Sequence, residues 1–173
     1  MKSDGEALTA LRFGEEQLGL RSENSYNGTI PYPTPKQTIP VFDKAKHWLD
    51  NYFNGKWTEN ATMGKLSGNA AISEKADAQI VVKPKGTMFQ QRVWQALLMI
   101  PYGETINYGA IAQMVGCRSA QAVGQAIRAN PIALLIPCHR VIAAHGKLGG
   151  YEYGQELKRQ LLELEKRLSP TQH

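Results

Sequence analysis

Residues 107–140 read NYGAIAQMVGCRSAQAVGQAIRANPIALLIPCHR, and their punctuation decides the fold of the second half of the chain. Asn107 stands where a helix N-cap belongs, ahead of Ile111, Met114 and Val115 as an apolar face. Gly116-Cys-Arg118 turns the chain. Ser119 caps a second segment whose Ala122, Val123, Ala126 and Ile127 are expected to face inward. Two short helices around a glycine-containing turn match helix-turn-helix spacing, although a helical hairpin inside a core has the same pattern. Small residues on the second helix would let it approach a groove closely. Asn130-Pro131 ends that helix. The apolar run Ile132-Ala-Leu-Leu-Ile136 is expected as a buried strand or extended segment that delivers Pro137-Cys-His-Arg140 directly from the core.

On either side the pattern stays helical. Phe89, Val93, Trp94, Leu97 and Leu98 form one apolar face, and Pro101-Tyr-Gly103 stops that helix. A last helix is predicted over residues 155–168, with Leu157, Leu161, Leu164 and Leu168 along one side. Lys83-Pro-Lys-Gly86 reads as a linker. Before it, residues 7–13 read as a strand, 14–40 as a long irregular connection and 56–76 as mixed and polar. Residues 41–53 read as a helix (Val41, Ala45, Trp48, Leu49, Tyr52, Phe53) closed by Gly55, and Ile80-Val-Val82 as a strand. The fold class is therefore α+β. A small N-terminal domain of short strands and one helix, residues 1–85, precedes a mostly helical domain, residues 86–173.

The 173 residues suffice for a buried core, and 42% hydrophobic with 20% charged residues is ordinary for a globular protein. No apolar run is long enough to span a membrane, and Met-Lys-Ser-Asp-Gly-Glu is no signal segment, so a cytoplasmic location is expected. Two cysteines, Cys117 and Cys138, make neither a disulfide framework nor a cysteine-rich zinc site. The net charge of +5 is unevenly placed. Residues 1–85 carry 11 basic against 10 acidic side chains, whereas residues 86–173 carry 9 against 5. Between Glu104 and Glu152 there is no carboxylate, while Arg118, Arg128, Arg140 and Lys147 fall there. Such a stretch does not repel phosphate, and its arginines can contact it.

A thiol is a poor nucleophile until it loses its proton. His139 adjoins Cys138, and Arg140 adds a fixed charge, so either would favour the thiolate. A third group should orient the imidazole, and Glu163 and Glu165 on the last helix are both of the right type. Cys117, in the turn between the paired helices, reads as structural.

Ile136-Pro-Cys-His-Arg-Val-Ile142 resembles the active-site signature of the O6-alkylguanine-DNA alkyltransferases, also called methylated-DNA–protein-cysteine methyltransferases. The resemblance extends to Ile100-Pro-Tyr-Gly-Glu-Thr-Ile-Asn-Tyr108, Ala122-Val-Gly124, Arg128-Ala-Asn-Pro131, Gly150-Tyr151, Lys158 and Leu161-Leu-Glu-Leu-Glu165, covering residues 87–168. Residues 1–85 are only loosely similar. The resemblance implies direct-reversal repair of alkylated double-stranded DNA by a monomer with no cofactor. An alkyl group would pass irreversibly from the O6 of a flipped guanine, with O4-alkylthymine as a second base, onto Cys138. His139 would take the thiol proton through an ordered water, polarised by Glu165. Asn130 would brace the turn between the recognition helix and the active-site segment. Tyr108 would lie near the flipped base and its phosphate, and Tyr151 and Lys158 would assist at the base and the leaving oxygen. The Val141 carbonyl would read the exocyclic amine, and Pro137 would shape the pocket wall. Ser119, Gln121, Arg128 and Arg140 complete the expected DNA contacts.

The chain departs from this pattern in three places. Gln121 stands where many members carry an arginine that fills the gap left by the flipped base, so weaker DNA binding or slower flipping is expected. The chain begins inside the family's first strand hairpin, so the first strand is expected to be missing and the first domain less stable. The cysteines that hold zinc in some relatives are missing. Two rival readings are a relative that flags alkylated DNA without repairing it, which would lack the acceptor cysteine, and a plain helix-turn-helix protein. A third is a Cys-His hydrolase, for which neither a distant histidine nor an oxyanion hole is evident.

Overall fold

The computed structural model describes residues 1–14, 40–55, 63–67, 70–73 and 80–169. The connection expected across 14–40 falls almost wholly outside them. The fold is α+β, as the sequence predicts.

Strands β1 (Lys2–Ser3) and β2 (Leu8–Ala10) form a short antiparallel hairpin whose turn is closed by the Asp4 carboxylate, which accepts from the amides of Glu6 and Ala7. A first strand, expected to be missing, is present as these two residues. Helix α1 (Pro40–Phe53) follows, with proline at its first position and Asp43 in its first turn. Its stripe of Val41, Ala45, Trp48 and Tyr52 is buried. Two strands, β3 (Met63–Ser67) and β4 (Ala70–Ser73), form a hairpin inside the stretch read only as mixed and polar. Strand β5 (Val81–Val82) completes a sheet of order β1-β2-β5-β4-β3, antiparallel except for the β2–β5 pair.

Helix α2 (Met88–Leu98) starts at a capping box: the Thr87 hydroxyl accepts from the Gln90 amide, and the Gln90 side chain accepts from the Thr87 amide. Val93, Trp94, Leu97 and Leu98 are buried, and the Trp94 indole donates to the Ala126 carbonyl at 2.8 Å. That bond ties α2 to the helix pair beyond it. In the pair, Asn107 caps α3 (Tyr108–Met114) and Ser119 caps α4 (Ala120–Arg128), as expected. Gly116 sits at φ +64, and the Cys117 amide reaches back to the Ala112 carbonyl, so the turn is a Schellman closure. Met114, expected inward, is 46% exposed, and Ala112 takes its place against the core. The four-residue step from Ile111 to Val115 fixes the buried face, and Met114 falls beside it.

The apolar run 132–136 is buried but is not a strand. Its sole ladder contact among the described residues is a bridge from Leu11 to Ile132. Leu134 adopts φ +66, and the Leu135 and Ile136 amides turn back onto the carbonyls of Ala133 and Ile132. Asn130 explains the bend: its amide donates to the Ile136 carbonyl and its oxygen accepts from the Ile132 amide, closing the loop on both sides. A single 3-10 turn, Cys138–Arg140, leads into β7 (Val141–Ile142), which pairs parallel with β6 (Ile106–Asn107). Helix α5 (Gln155–Leu168) ends the description. Its fully inward residues are Lys158, Leu161 and Glu165. Leu8, Tyr52, Trp94, Ile111, Leu135 and Leu161, from both halves of the chain, belong to one buried cluster.

A Cβ on Gly86 would overlap the ring of the buried Trp94. Gly86→Ala is therefore expected to destabilise the fold by about 1–3 kcal/mol. Urea unfolding measures it, and an unchanged midpoint would contradict this packing.

Candidate active site

Cys138 heads its 3-10 turn at the inner wall of a cleft of about 870 Å³. The cleft runs between α4 and the loop before α5, and Tyr108, Gln121, Arg128, Asn130, Tyr151 and Tyr153 also line it. The thiol is 8% exposed. Burial raises its pKa, against the pull of the Asn130 amide, nearby backbone amides and the Lys158 ammonium. The resting group is thus a thiol. The expectation is that His139 or Arg140 would favour the thiolate; the groups that lower the Cys138 pKa here are the Asn130 side chain, Lys158 and backbone amides, and burial outweighs them.

His139 is fully buried, with Nε2 2.7 Å from Oε1 of Glu165. Burial lowers the pKa of His139, opposed by Glu165 and assisted by Arg140 and Lys158. The imidazole is therefore neutral at pH 7. An ionised carboxylate only accepts, so the contact assigns the proton to Nε2 and leaves the Nδ1 lone pair open. Nδ1 is buried with no hydrogen-bond partner among protein atoms. Of the two glutamates open at the sequence level, Glu165 meets the histidine, while Glu163 is exposed and pairs with Arg159. Burial resists ionisation of Glu165, but His139 and Arg140 outweigh it and hold its pKa at about 2.

Arg140, expected at the DNA surface, is turned into the protein. It is buried, its Nε and Nη2 fork onto Glu165 at 2.8 and 2.9 Å, and its Nη1 donates to the Ile100 carbonyl at 2.7 Å. The guanidinium also lies over the Tyr102 ring, 5.4 Å from its centroid. A buried carboxylate requires such a partner, and that requirement turns Arg140 inward. Lys158 is the residue that the resemblance implies at the leaving oxygen. It is fully buried, its Nζ donates to the carbonyls of Val141 (2.6 Å), Leu148 (2.5 Å) and Gly150 (3.3 Å), and burial lowers its pKa to about 8. It fastens the loop that forms one cleft wall. The Val141 carbonyl, expected to read the base, is where that loop is fastened. Pro137 is buried behind Cys138, and Ser119 caps α4 from an exposed position.

Tyr108 donates weakly to the Gly150 carbonyl at 3.5 Å. The Tyr151 hydroxyl, at the cleft wall, is buried and has no partner among protein atoms. Burial raises the pKa of both phenols, so both are donors. Cys117 accepts from the Ser119 amide at 3.4 Å, in keeping with a structural reading. Among the described residues no cluster of three or more His, Cys, Asp or Glu could hold a metal.

Sequence reasoning missed Tyr52. Its hydroxyl donates to Oε1 of Glu165 at 2.6 Å and lies 3.4 Å from Nε2 of His139. The available signal was a tyrosine in the inward stripe of a helix, since a buried phenol needs a partner. The Gly103 amide, 3.1 Å from Oε2 of Glu165, left no trace in the sequence beyond the turn itself.

Neutral imidazole, carboxylate and thiol together form a proton acceptor, its stabiliser and a nucleophile. A family model described as "6-O-methylguanine DNA methyltransferase, DNA binding domain" matches residues 88–167. A methylated-DNA–protein-cysteine methyltransferase of Mycobacterium tuberculosis is 42% identical over 166 residues, covering 95% of this chain and 88% of that protein. The Haemophilus influenzae protein of the same name is 36% identical over 169 residues, covering 95% and 78%. The crystal structure of M. tuberculosis OGT in complex with DNA is similar at TM-score 0.60 and 46% identity, over 75% of this chain and 70% of that one. A variant of the M. tuberculosis O6-methylguanine methyltransferase is similar at TM-score 0.66 and 40% identity, over 98% and 86%.

Removing Arg140 while leaving Glu165 buried strands a charge. Arg140→Met is expected to cost about 3–5 kcal/mol in urea unfolding. A loss below about 1 kcal/mol, the range of exposed pairs, would show that the pair is not buried as described.

Proposed function

The chain belongs to the methylated-DNA–protein-cysteine methyltransferase family, and from that premise we propose that it repairs DNA by taking a methyl or other alkyl group from O6-alkylguanine onto Cys138. The observation that carries this reading is the thiol at the wall of a cleft bordered by α4, with a neutral His139 held by Glu165. O6 of guanine lies within the base stack, so the nucleotide must leave the helix for a protein sulfur to reach its alkyl carbon. The cleft, open along α4, gives it a place to enter.

As the base arrives, Nδ1 of His139 accepts the Cys138 proton, directly or through water, and Glu165 stabilises the imidazolium. The sulfur lone pair forms the S–C bond as the C–O6 bond breaks, and the electron pair leaves on the guanine. Tyr151 and Tyr108, phenols at the cleft wall, are placed to donate to that base. The product thioether has no proton to lose and no leaving group to return, so each molecule reacts once. Gln121 and Arg128 line the same cleft from α4, where they would meet the displaced strand and its phosphates. The acid-free stretch around them suits duplex DNA as the partner. Residues 86–173 carry the acceptor and the DNA-binding pair. Two free thiols suit a reducing compartment, and we place the protein in the cytoplasm as a monomer.

Duplex DNA carrying O6-[methyl-3H]guanine should label the protein on Cys138, stop near one methyl per molecule, and leave Cys138→Ala unlabelled. Repeated turnover, or label that never reaches protein, would overturn the proposal. Gln121→Arg adds a charge and a stacking plane at the cleft wall. It is expected to tighten DNA binding on the order of threefold to tenfold at moderate salt, read by fluorescence anisotropy. Unchanged affinity and unchanged transfer rate would remove Gln121 from the flipping step.

A further inference from the structure

We propose that Tyr52, carried by α1 in the first half of the chain, is a positioning residue for alkyl transfer: its hydroxyl sets how much of the Glu165 charge reaches His139. This inference deepens the proposed function and rests on it. The geometry is specific. Oε1 of Glu165 receives the Tyr52 hydroxyl at 2.6 Å, His139 Nε2 at 2.7 Å and Arg140 Nη2 at 2.9 Å. Tyr52 and His139 thus compete for one oxygen, and the phenol is the shorter contact. Tyr52 is fully buried, stacked on Trp48 at 5.3 Å and edge-on to Tyr102 at 5.5 Å, so its hydroxyl has little freedom to leave.

Charged and titratable groups reach the imidazole from several elements of the described residues. Glu165 and Lys158 face it from α5, Arg140 and Cys138 flank it on its own turn, Tyr52 reaches it from α1, and Tyr102 adjoins the Glu165–Arg140 pair from the turn after α2. Arg140 and Lys158 both oppose an imidazolium, and among the described residues Glu165 favours it. Every hydrogen bond donated to Glu165 weakens that support. Burial is the first reason that His139 is neutral at rest, and Tyr52 adds to it by drawing on the Glu165 charge, while leaving enough charge on the carboxylate to stabilise the cation formed during attack. Its pKa lies well above the usual phenol range, through burial first and Glu165 second, so it donates at every working pH.

The test compares Tyr52→Phe with protein carrying 2,3-difluorotyrosine at position 52, whose more acidic phenol donates more strongly. Two quantities are read: the His139 ring-proton NMR titration without substrate, and the single-turnover transfer rate against pH. Tyr52→Phe should move the His139 midpoint up by about half a unit or more, and the acid limb of the rate profile with it. The fluorinated side chain should move both down. A residue that only packs would not give shifts of opposite sign. Superimposable titrations across the three proteins would overturn the proposal, as would shifts of the same sign. Should Tyr52→Phe fail to fold, the fluorinated protein, which keeps the shape, decides alone. Because the titration needs no alkylated DNA, a native protein that transfers no methyl group would refute the repair reading and still leave this one testable.

Discussion

The Glu165 carboxylate is the group around which the rest of the molecule is arranged. It is fully buried, and an isolated carboxylate there would cost several kcal/mol. Five donors answer that cost: the Tyr52 hydroxyl, the His139 imidazole, two nitrogens of Arg140 and the Gly103 amide. They come from α1, the turn after α2 and the 3-10 turn that carries Cys138. One charge on α5 therefore gathers three separate parts of the chain and fixes the acceptor segment among them. Satisfaction is what makes the arrangement stable, since a buried charge with all its lone pairs engaged has no cheaper partner to move to.

A second constraint comes from the loop that delivers the cysteine. An apolar run with no strand to pair with must satisfy its own amides. Asn130 serves the Ile132 amide and the Ile136 carbonyl, and Leu134 accepts a left-handed backbone in consequence. The bend lays Pro137 and Cys138 beside the end of α4 instead of carrying them across the core. Lys158 repeats the device on the other wall, where three carbonyls converge on one ammonium. Two polar side chains, each spanning a loop, thus define the opposing sides of the cleft.

Much of this was legible in the sequence where a local rule decided it. Asn107, Ser119 and Gly116 punctuate the helix pair through contacts within a few residues, and such contacts survive into the fold. The bounds of α5 followed from periodicity, and so did the inward stripe of α1 except at its end, where Phe53 is 45% exposed. What was not legible depended on partners distant in the chain. Arg140 looked like a phosphate contact because nothing local shows that Glu165 lies beneath it. The carbonyls that hold Lys158 likewise come from a loop 8 to 17 positions away, which no local rule shows. Tyr52 read as packing, although 113 positions separate it from the carboxylate it serves. The β3–β4 hairpin was missed because Met63–Ser67 and Ala70–Ser73 mix small, polar and apolar residues with no alternation strong enough to mark a strand.

The resting electrostatics suit an acceptor that is consumed by its first reaction. A thiolate kept ready in the open would be lost to any small electrophile or oxidant, and each such loss would retire one molecule. Here burial raises the Cys138 pKa, and the imidazole beside it is neutral, so little thiolate exists before substrate arrives. In the proposed reaction the proton acceptor is already in place, because Nδ1 of His139 has no hydrogen-bond partner among protein atoms and the Glu165 charge is held at its other nitrogen. Nucleophilicity in that proposal develops along the attack itself, when the sulfur proton and the C–O6 bond are given up together. The same burial that slows adventitious alkylation removes water from the displacement, so protection of the thiol and reactivity toward a delivered base arise from one feature of the fold.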